Sequence, residues 1–338
     1  MSELKTNNIA THDTNNVAVD NALNIKSYTT TERNALTSVT GDMIYNTTTS
    51  KIEIYNGSAW VQTGVGNTFS INYLLVGGGG ATNGQGGGGA GGFLNSFGTE
   101  NSGGGNSSLD EIGIIKGTNY TVTIGAGGSA GTNNGSNSVF SRLTANGGGY
   151  GGSNAQVGAD GSSGGGGGTN SSGTVQGGDT LVNLNLGFDG GSGFSNSLTV
   201  NRGAGGGGGA SAVGTNGSAG VGGNGGAGVT SLITGSSVTY AGGGGGFGGT
   251  TGGTGGTGGG GLGETSGSDN ATDGTANTGG GAGGGSPTKS GGSGIVILRY
   301  ETADATISVG AGLTQTSTTD GSDTIVTFTA GTGTISFS

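Results

Sequence analysis

The sequence predicts a mostly β protein built around a sandwich of polyglycine II helices. A short β-meander precedes the sandwich, a β segment follows it, and almost no α-helix is expected. Three observations carry this reading. Of the 92 glycines, 83 lie in residues 67–300. Short strand-like runs open, punctuate and close that stretch, and other residues break its glycine runs at intervals of about three. Ordering a glycine costs roughly 1 to 2 kcal/mol of backbone entropy and adds no side chain to a core. Only 28% of the chain is hydrophobic and 5% aromatic, too little for an oily core to offset that cost. Chains without Cβ can instead lie close enough for dense N–H to C=O bonding and Cα–H contacts.

Four segments follow in order. Residues 1–40 form an arm rich in Asn and Thr, with one helix signal: Thr29 and Glu32 have capping-box spacing, ahead of Ala35 and Leu36. Residues 41–66 read as a small β-meander with strands at 42–45, 52–55 and 59–62, the last two joined by a tight turn at Asn56-Gly57. One Trp and two Tyr on three short strands make a unit that is marginal alone, so it is expected to pack against copies of itself or another protein, with Tyr45, Ile54 and Trp60 in a shared core.

The glycine-rich segment, 67–300, opens with Phe69-Ser70-Ile71-Asn72-Tyr73-Leu74-Leu75-Val76 and closes with Ile295-Val296-Ile297-Leu298-Arg299-Tyr300, two runs able to pair as buried strands at its base. Further strands are expected at 120–124 and 238–240. Between 251 and 257 the sequence is Thr-Gly-Gly-Thr-Gly-Gly-Thr, which on a helix of three residues per turn places Thr251, Thr254 and Thr257 on one face. Collagen is excluded, because the period is not sustained and Pro287 is the single proline. Residues 301–338 return to β sequence, with strands at 305–309, 324–328 and 334–337 and a turn at Asp320-Gly321.

Charged residues are 8% of the chain and the formal net charge is −10, which argues against a nucleic-acid partner. There is no cysteine, hence no disulfide and no thiolate metal site. No apolar run approaches the roughly 18 residues of a membrane helix, so no membrane insertion is expected. The first residues lack the basic and apolar regions of a signal peptide, which points to assembly in a cytoplasm.

Motifs of chemistry are weak. At this glycine content G-x-G-x-x-G arises by chance roughly seven times and carries no dinucleotide signal. Residues 283–290 imitate a phosphate loop but carry Thr288 where glycine is required, and Pro287 removes an amide donor. Residues 269–274 imitate a calcium loop but place Ala271 at the second ligand position and Gly280 where the bidentate Glu belongs. The single His12 lies in the polar arm, and Asp179, Asp189 and Glu264 have no spacing that pairs them for glycoside cleavage. The expectation is a non-enzyme without cofactor or metal.

The insert from Thr169 to Arg202 departs most from its surroundings. Leu184, Leu186, Phe188 and Phe194 supply apolar groups, and Asn183, Asn185 and Asp189 supply hydrogen-bonding ones. Two readings stand: a hairpin whose leucines cover the glycine slab, or a contact loop for a receptor. Residues 93–97, Phe-Leu-Asn-Ser-Phe, pose the same choice.

Taken together, Thr30-Thr31-Glu32-Arg33-Asn34-Ala35-Leu36, Gly41-Asp42-Met43-Ile44-Tyr45-Asn46-Thr47 and Tyr55-Asn56-Gly57-Ser58-Ala59-Trp60-Val61 resemble a module common in virion structural proteins of tailed bacteriophages. The segment from Tyr73-Leu74-Leu75-Val76-Gly77 to Ile295-Val296-Ile297-Leu298-Arg299-Tyr300, with Tyr120-Thr121-Val122-Thr123-Ile124-Gly125 and Tyr240-Ala241-Gly242 between, is similar to the glycine-rich domain of phage fibres and tip adhesins. The resemblance implies a polyglycine II sandwich with receptor-contacting loops at one end. It implies a structural virion protein, attached through its N-terminal arm as a homotrimer to other tail or fibre proteins, and a glycan or protein receptor on a bacterial surface. In that family strands like 325–328 and 334–337 usually precede the glycine domain, so residues 301–338 either fold back on it or form a separate tip. Two other functions fit the sequence: ice binding through a flat Thr/Gly face, and a virion-associated polysaccharide depolymerase.

Overall fold

The computed structural model describes residues 25–62, 68–170, 173–181, 185–196 and 201–338. Within these the protein is mostly β with a single α-helix, as its composition predicts. Contacts divide the chain into two units, Met1–Thr68 and Phe69–Ser338.

The first unit holds β1 (Ser27–Tyr28), α1 (Thr30–Asn34), β2 (Met43–Asn46), β3 (Lys51–Tyr55) and β4 (Trp60–Gln62) in one sheet of order β1-β2-β3-β4. The capping box forms as its spacing requires: Thr29 Oγ1 accepts from the Glu32 amide, and Glu32 Oε2 accepts from the Thr29 amide at 2.7 Å. Arg33, one turn on, reaches Glu53 Oε2 at 2.7 Å, and Asn46 Nδ2 donates to Glu53 Oε1 at 3.1 Å, so the buried carboxylate is satisfied. Asn56 Oδ1 accepts from the amides of Ser58 and Ala59, closing the turn between β3 and β4 around Gly57, whose φ is +98°.

In the second unit the strands begin with β5 (Thr68–Val76), β6 (Phe93–Asn95), β7 (Ile112–Ile115), β8 (Tyr120–Thr123), β9 (Ser138–Phe140) and β10 (Leu143–Ala145). Among the turns and glycine runs lie β11 (Gly173–Val175), β12 (Gly193–Ser195), β13 (Arg202–Gly203), β14 (Val229–Ser231) and β15 (Val238–Tyr240). The chain ends in β16 (Ile295–Glu301), β17 (Ile307–Val309), β18 (Leu313–Asp320) and β19 (Asp323–Phe337).

The opening and closing runs pair antiparallel, Val76 opposite Ile295 and Tyr73 opposite Leu298. They lie inside a nearly closed sheet of order β10-β9-β8-β19-β16-β5-β6. Both faces are buried. Ile71, Tyr73 and Leu75 point with Val296, Leu298, Phe328 and Phe337 into one core, while Leu74 and Val76 point with Ile295, Ile297, Tyr240 and Phe93 into another. The second core also takes Ala90, Ala210 and Ala241, which stand at the sheet-proximal ends of three glycine runs. Strand alternation thus supplies one face to an oily core and the other to the base of the glycine region.

The C-terminal residues are integral to this sheet. One 15-residue strand, β19, pairs with β16 and β18 through its first half and with β8 and β17 through its second. The sequence predicts two strands here, 324–328 and 334–337; the structure joins them into one, and Gly331 between them takes φ +95° without ending it.

Above the sheet, the glycine runs bond to one another with a period of three. In residues 86–92 the amides of Gly86, Gly89 and Gly92 donate to the carbonyls of Gly152, Gly149 and Asn146; those of Gly87 and Ala90 donate to Gly205 and Gly208; those of Gly88 and Gly91 donate to Ala282 and Gly279. The run 242–248 repeats this toward 258–264, 226–223 and 88–85, and the run 204–210 toward 247–241, 167–164 and 215–212. A strand in a sheet has two hydrogen-bonded neighbours; each of these runs donates to three and accepts from others besides, as when Gly80, Gly166 and Gly244 donate to the carbonyls of Gly89, Gly87 and Gly88. A Cβ at Gly80, Gly88 or Gly244 would collide with the carbonyl of Gly149, Gly80 or Ala282 respectively, so glycine is required by the closeness of the neighbouring backbone. On the run 251–257, Thr251, Thr254 and Thr257 are all exposed while Gly253 and Gly256 donate inward to Gly246 and Gly243, the one-face arrangement that the period-three spacing predicts.

Candidate functional site

Two ends of the lattice are distinguishable. One abuts the sheet, where Gly77 follows β5 and Gly92 precedes β6. The other is formed by turns at residues 83–85, 153–156, 248–251, 265–268 and 285–289, together with the small sheet β11-β12-β13.

The insert from Thr169 to Arg202 travels between these ends, and its predicted contact residues divide between them. Asn183 and Leu184 lie outside the described residues. Leu186 is buried at the sheet-proximal end, where its carbonyl and Cβ lie against Gly103 and Gly92. Asn185, in the left-handed region at φ +40°, donates from Nδ2 to Gly104 O at 3.0 Å and accepts at its carbonyl from Asn106 Nδ2 at 2.7 Å. Phe188 is half-buried; its amide donates to Gly209 and its carbonyl accepts from Gly164, placing it inside the lattice. Asp189 is exposed and receives the Thr180 amide on Oδ1 at 2.7 Å. Phe194 stands at the other end, in the middle of β12 opposite Thr174 and Gly203.

Asn185, Leu186 and Phe188 therefore fasten the insert to the slab, and Phe194 joins the distal turns. Residues 93–97 resolve toward packing: Phe93 is fully buried in β6, and Phe97 lies under the Arg299 guanidinium, 4.8 Å from its ring centroid. Of the three carboxylates, Asp179 precedes Thr180 and Asp189 accepts from the Thr180 amide, whereas Glu264 is buried at the distal end and accepts from the Ser286 amide.

The sequence concentrates its candidate contact residues in one insert; the structure shows a second cluster of large side chains at the distal turns of the other runs. Gln85, Asn154, Arg202, Phe247 and Glu264 come together there from five separate places in the chain. The available signal was a single large side chain at the terminus of a glycine run, a pattern shared by Gln85, Phe247 and Glu264. Gln85 is the brace of this region, its Oε1 accepting from the amides of Asn154 at 3.0 Å and Thr169 at 2.9 Å.

Neither a curated protein nor a solved structure matches the chain. A family model described as the glycine-rich domain matches residues 56–301, nearly three-quarters of the sequence, and the chain belongs to that family.

Proposed function

We propose that this chain is a structural virion protein, a bacteriophage tail-fibre or adhesin subunit that contributes to binding a receptor on the host surface. In this reading the runs are polyglycine II helices, the first unit joins the chain to copies of itself and to other virion proteins, and the distal turns face the receptor. The observation that carries it is the period-three bonding, in which each run meets the same neighbour at every third amide. Such a lattice is stiff, presents few side chains along its sides, and concentrates Asn, Gln, Arg, Glu and Phe at one end. Rigid display limits the entropy lost when those turns bind a partner.

The first unit supports self-association. Met43, Tyr45, Ile52 and Val61 are exposed, and their strand pairings place them with Ile54 on one face of the sheet. Trp60 pairs across from Tyr55 on the opposite face, with their rings 5.5 Å apart. A threefold core would therefore use Tyr45 and Ile54 with Met43, Ile52 and Val61, leaving Trp60 within each copy. Sedimentation at micromolar concentration tests the trimer, and a monomeric chain defeats that part of the reading. Antibody labelling of purified particles tests the virion assignment: label at tail or fibre tips is expected, and particles without label overturn it.

A second reading, ice binding, rests on the exposed row Thr251, Thr254 and Thr257 and on the neighbouring run, whose outward positions Val221 and Asn224 have the same spacing. Inhibition of ice recrystallisation that Thr254→Glu abolishes would favour it over receptor binding.

A further inference from the structure

At the distal end the turns enclose a cleft of about 350 Å³ that includes Asn154, Arg202, Phe247 and Glu264 in its lining. The Arg202 guanidinium lies over the Phe247 ring at 4.6 Å, which fixes its plane. Its Nε is buried and has no hydrogen-bond partner. Glu264 is 5% exposed; one oxygen accepts from the Ser286 amide at 2.6 Å, and no hydrogen bond within the described residues occupies the other. No ion pair joins the two charges. Asn154 is held at φ +41° by Gln85, which accepts from its amide and donates to its Oδ1 at 3.3 Å, leaving its Nδ2 unused.

A buried carboxylate and a partly buried guanidinium share this cleft without pairing, so each keeps hydrogen-bonding capacity that a ligand in the cleft can take up. The ligand must accept from Arg202 and donate to Glu264 at once. An anion is repelled by Glu264, a cation by Arg202, and an apolar molecule leaves both unsatisfied. Neighbouring hydroxyl groups satisfy both, because each hydroxyl donates one hydrogen bond and accepts others. The volume lies at the small end of ligand sites. We propose that this cleft binds one neutral sugar unit, with Glu264 accepting from and Arg202 donating to adjacent hydroxyls, Asn154 adding a third contact, and Phe247 acting as a positioning residue for Arg202. The inference goes beyond the virion reading and does not depend on it, since it concerns the isolated chain and free sugar.

The test is saturation-transfer NMR on the purified full chain with glucose, galactose, mannose and N-acetylglucosamine, beside glucuronate and glucosamine as anionic and cationic comparators. At least one neutral sugar is expected to bind in preference to both charged ones. Glu264→Gln and Arg202→Lys should each weaken that binding roughly tenfold or more, because each removes a charge-assisted bond in a desolvated site. Thr254→Val, on the lateral face, should leave it unchanged. Thr288→Trp, which fills the cleft from an exposed lining position, should abolish binding without touching either charge, and so remains decisive if a charge variant unfolds. Absence of transfer from all four neutral sugars, stronger binding of either charged sugar, or binding that survives Thr288→Trp would overturn the proposal.

Discussion

Replacing Gly244 by alanine tests whether close backbone packing holds the glycine region together. Gly244 lies at a junction: its amide donates to Gly88 O at 2.8 Å, its carbonyl accepts from the Gly207 amide at 2.8 Å, and Gly88 donates in turn to Ala282 O at 2.7 Å. The new Cβ would fall deep inside the contact distance of the Ala282 carbonyl, and that carbonyl cannot retreat without releasing Gly88. Separating these runs breaks about three buried amide bonds, each worth about 1 kcal/mol net, and leaves buried groups unpaired at about 1 to 3 kcal/mol each. Counting one unpaired group at about 1 to 3 kcal/mol for each of the three bonds as the whole cost, the sum is on the order of 3 to 9 kcal/mol, a large part of the 5 to 15 kcal/mol typical of a folded domain. The matched control is Gly113→Ala in β7, where a Cβ meets nothing within 4 Å and the change should stay within about 0.5 kcal/mol. Urea unfolding followed by circular dichroism measures both. A Gly244→Ala loss below about 1 kcal/mol, with an unchanged denaturant slope, would mean that the lattice yields to a methyl group and that close packing is not what stabilises it.

Burial pushes the Tyr240 phenol up to about 12 from its ordinary 10.0. Because the folded value is the higher one, its contribution is complete below pH 10 and is lost as pH rises toward 12. That amounts to on the order of 2 to 3 kcal/mol, and Tyr240→Phe should flatten the alkaline limb of stability against pH, in part because buried Tyr73 and Tyr300 shift the same way. In the first unit the backbone hydrogen bond from Thr29 holds the Glu32 carboxyl below its ordinary 4.5, so its contribution is present above that value and lost as pH falls through the lower folded value; acid titration of Glu32 by NMR, with and without Thr29→Pro, which removes the amide donor, checks this. Arg299 bonds Asp320 at 2.9 Å, Asp323 at 2.7 Å and Ile233 O at 3.2 Å, so Arg299→Met should cost about 2 to 4 kcal/mol in thermal or urea unfolding. An unchanged midpoint would show that the cluster is already solvated.

Local signals were legible where the governing contact is local or where burial writes a pattern. The capping box needs only Thr29 and Glu32, and the paired runs 69–76 and 295–300 announce themselves as apolar stretches buried on both faces. The pair β18 and β19 was not fully legible. Residues 313–320, Leu-Thr-Gln-Thr-Ser-Thr-Thr-Asp, are nearly all exposed, so no alternation marks them, and they are held as a strand by β19. β1 is too short to show a period and exists through its parallel pairing with β2. The distal cleft was illegible for a different reason. Residues 154, 202, 247 and 264 meet only because runs of matching length reverse at the same height, and nothing in glycine composition states those lengths.

Bonding that returns to the same neighbour every third residue also sets which changes of length a run accepts. On a helix of three residues per turn, three added residues extend a run by about 9 Å and keep every later amide aimed at the same neighbouring run. One or two added residues turn all later positions by about 120° or 240°, carrying surface side chains such as Thr254 into the space reserved for glycine. Insertions and deletions inside the runs are therefore expected in multiples of three, as if the fold imposed a reading frame on the protein, whereas the distal turns, with no such phase to keep, are free to change by any number.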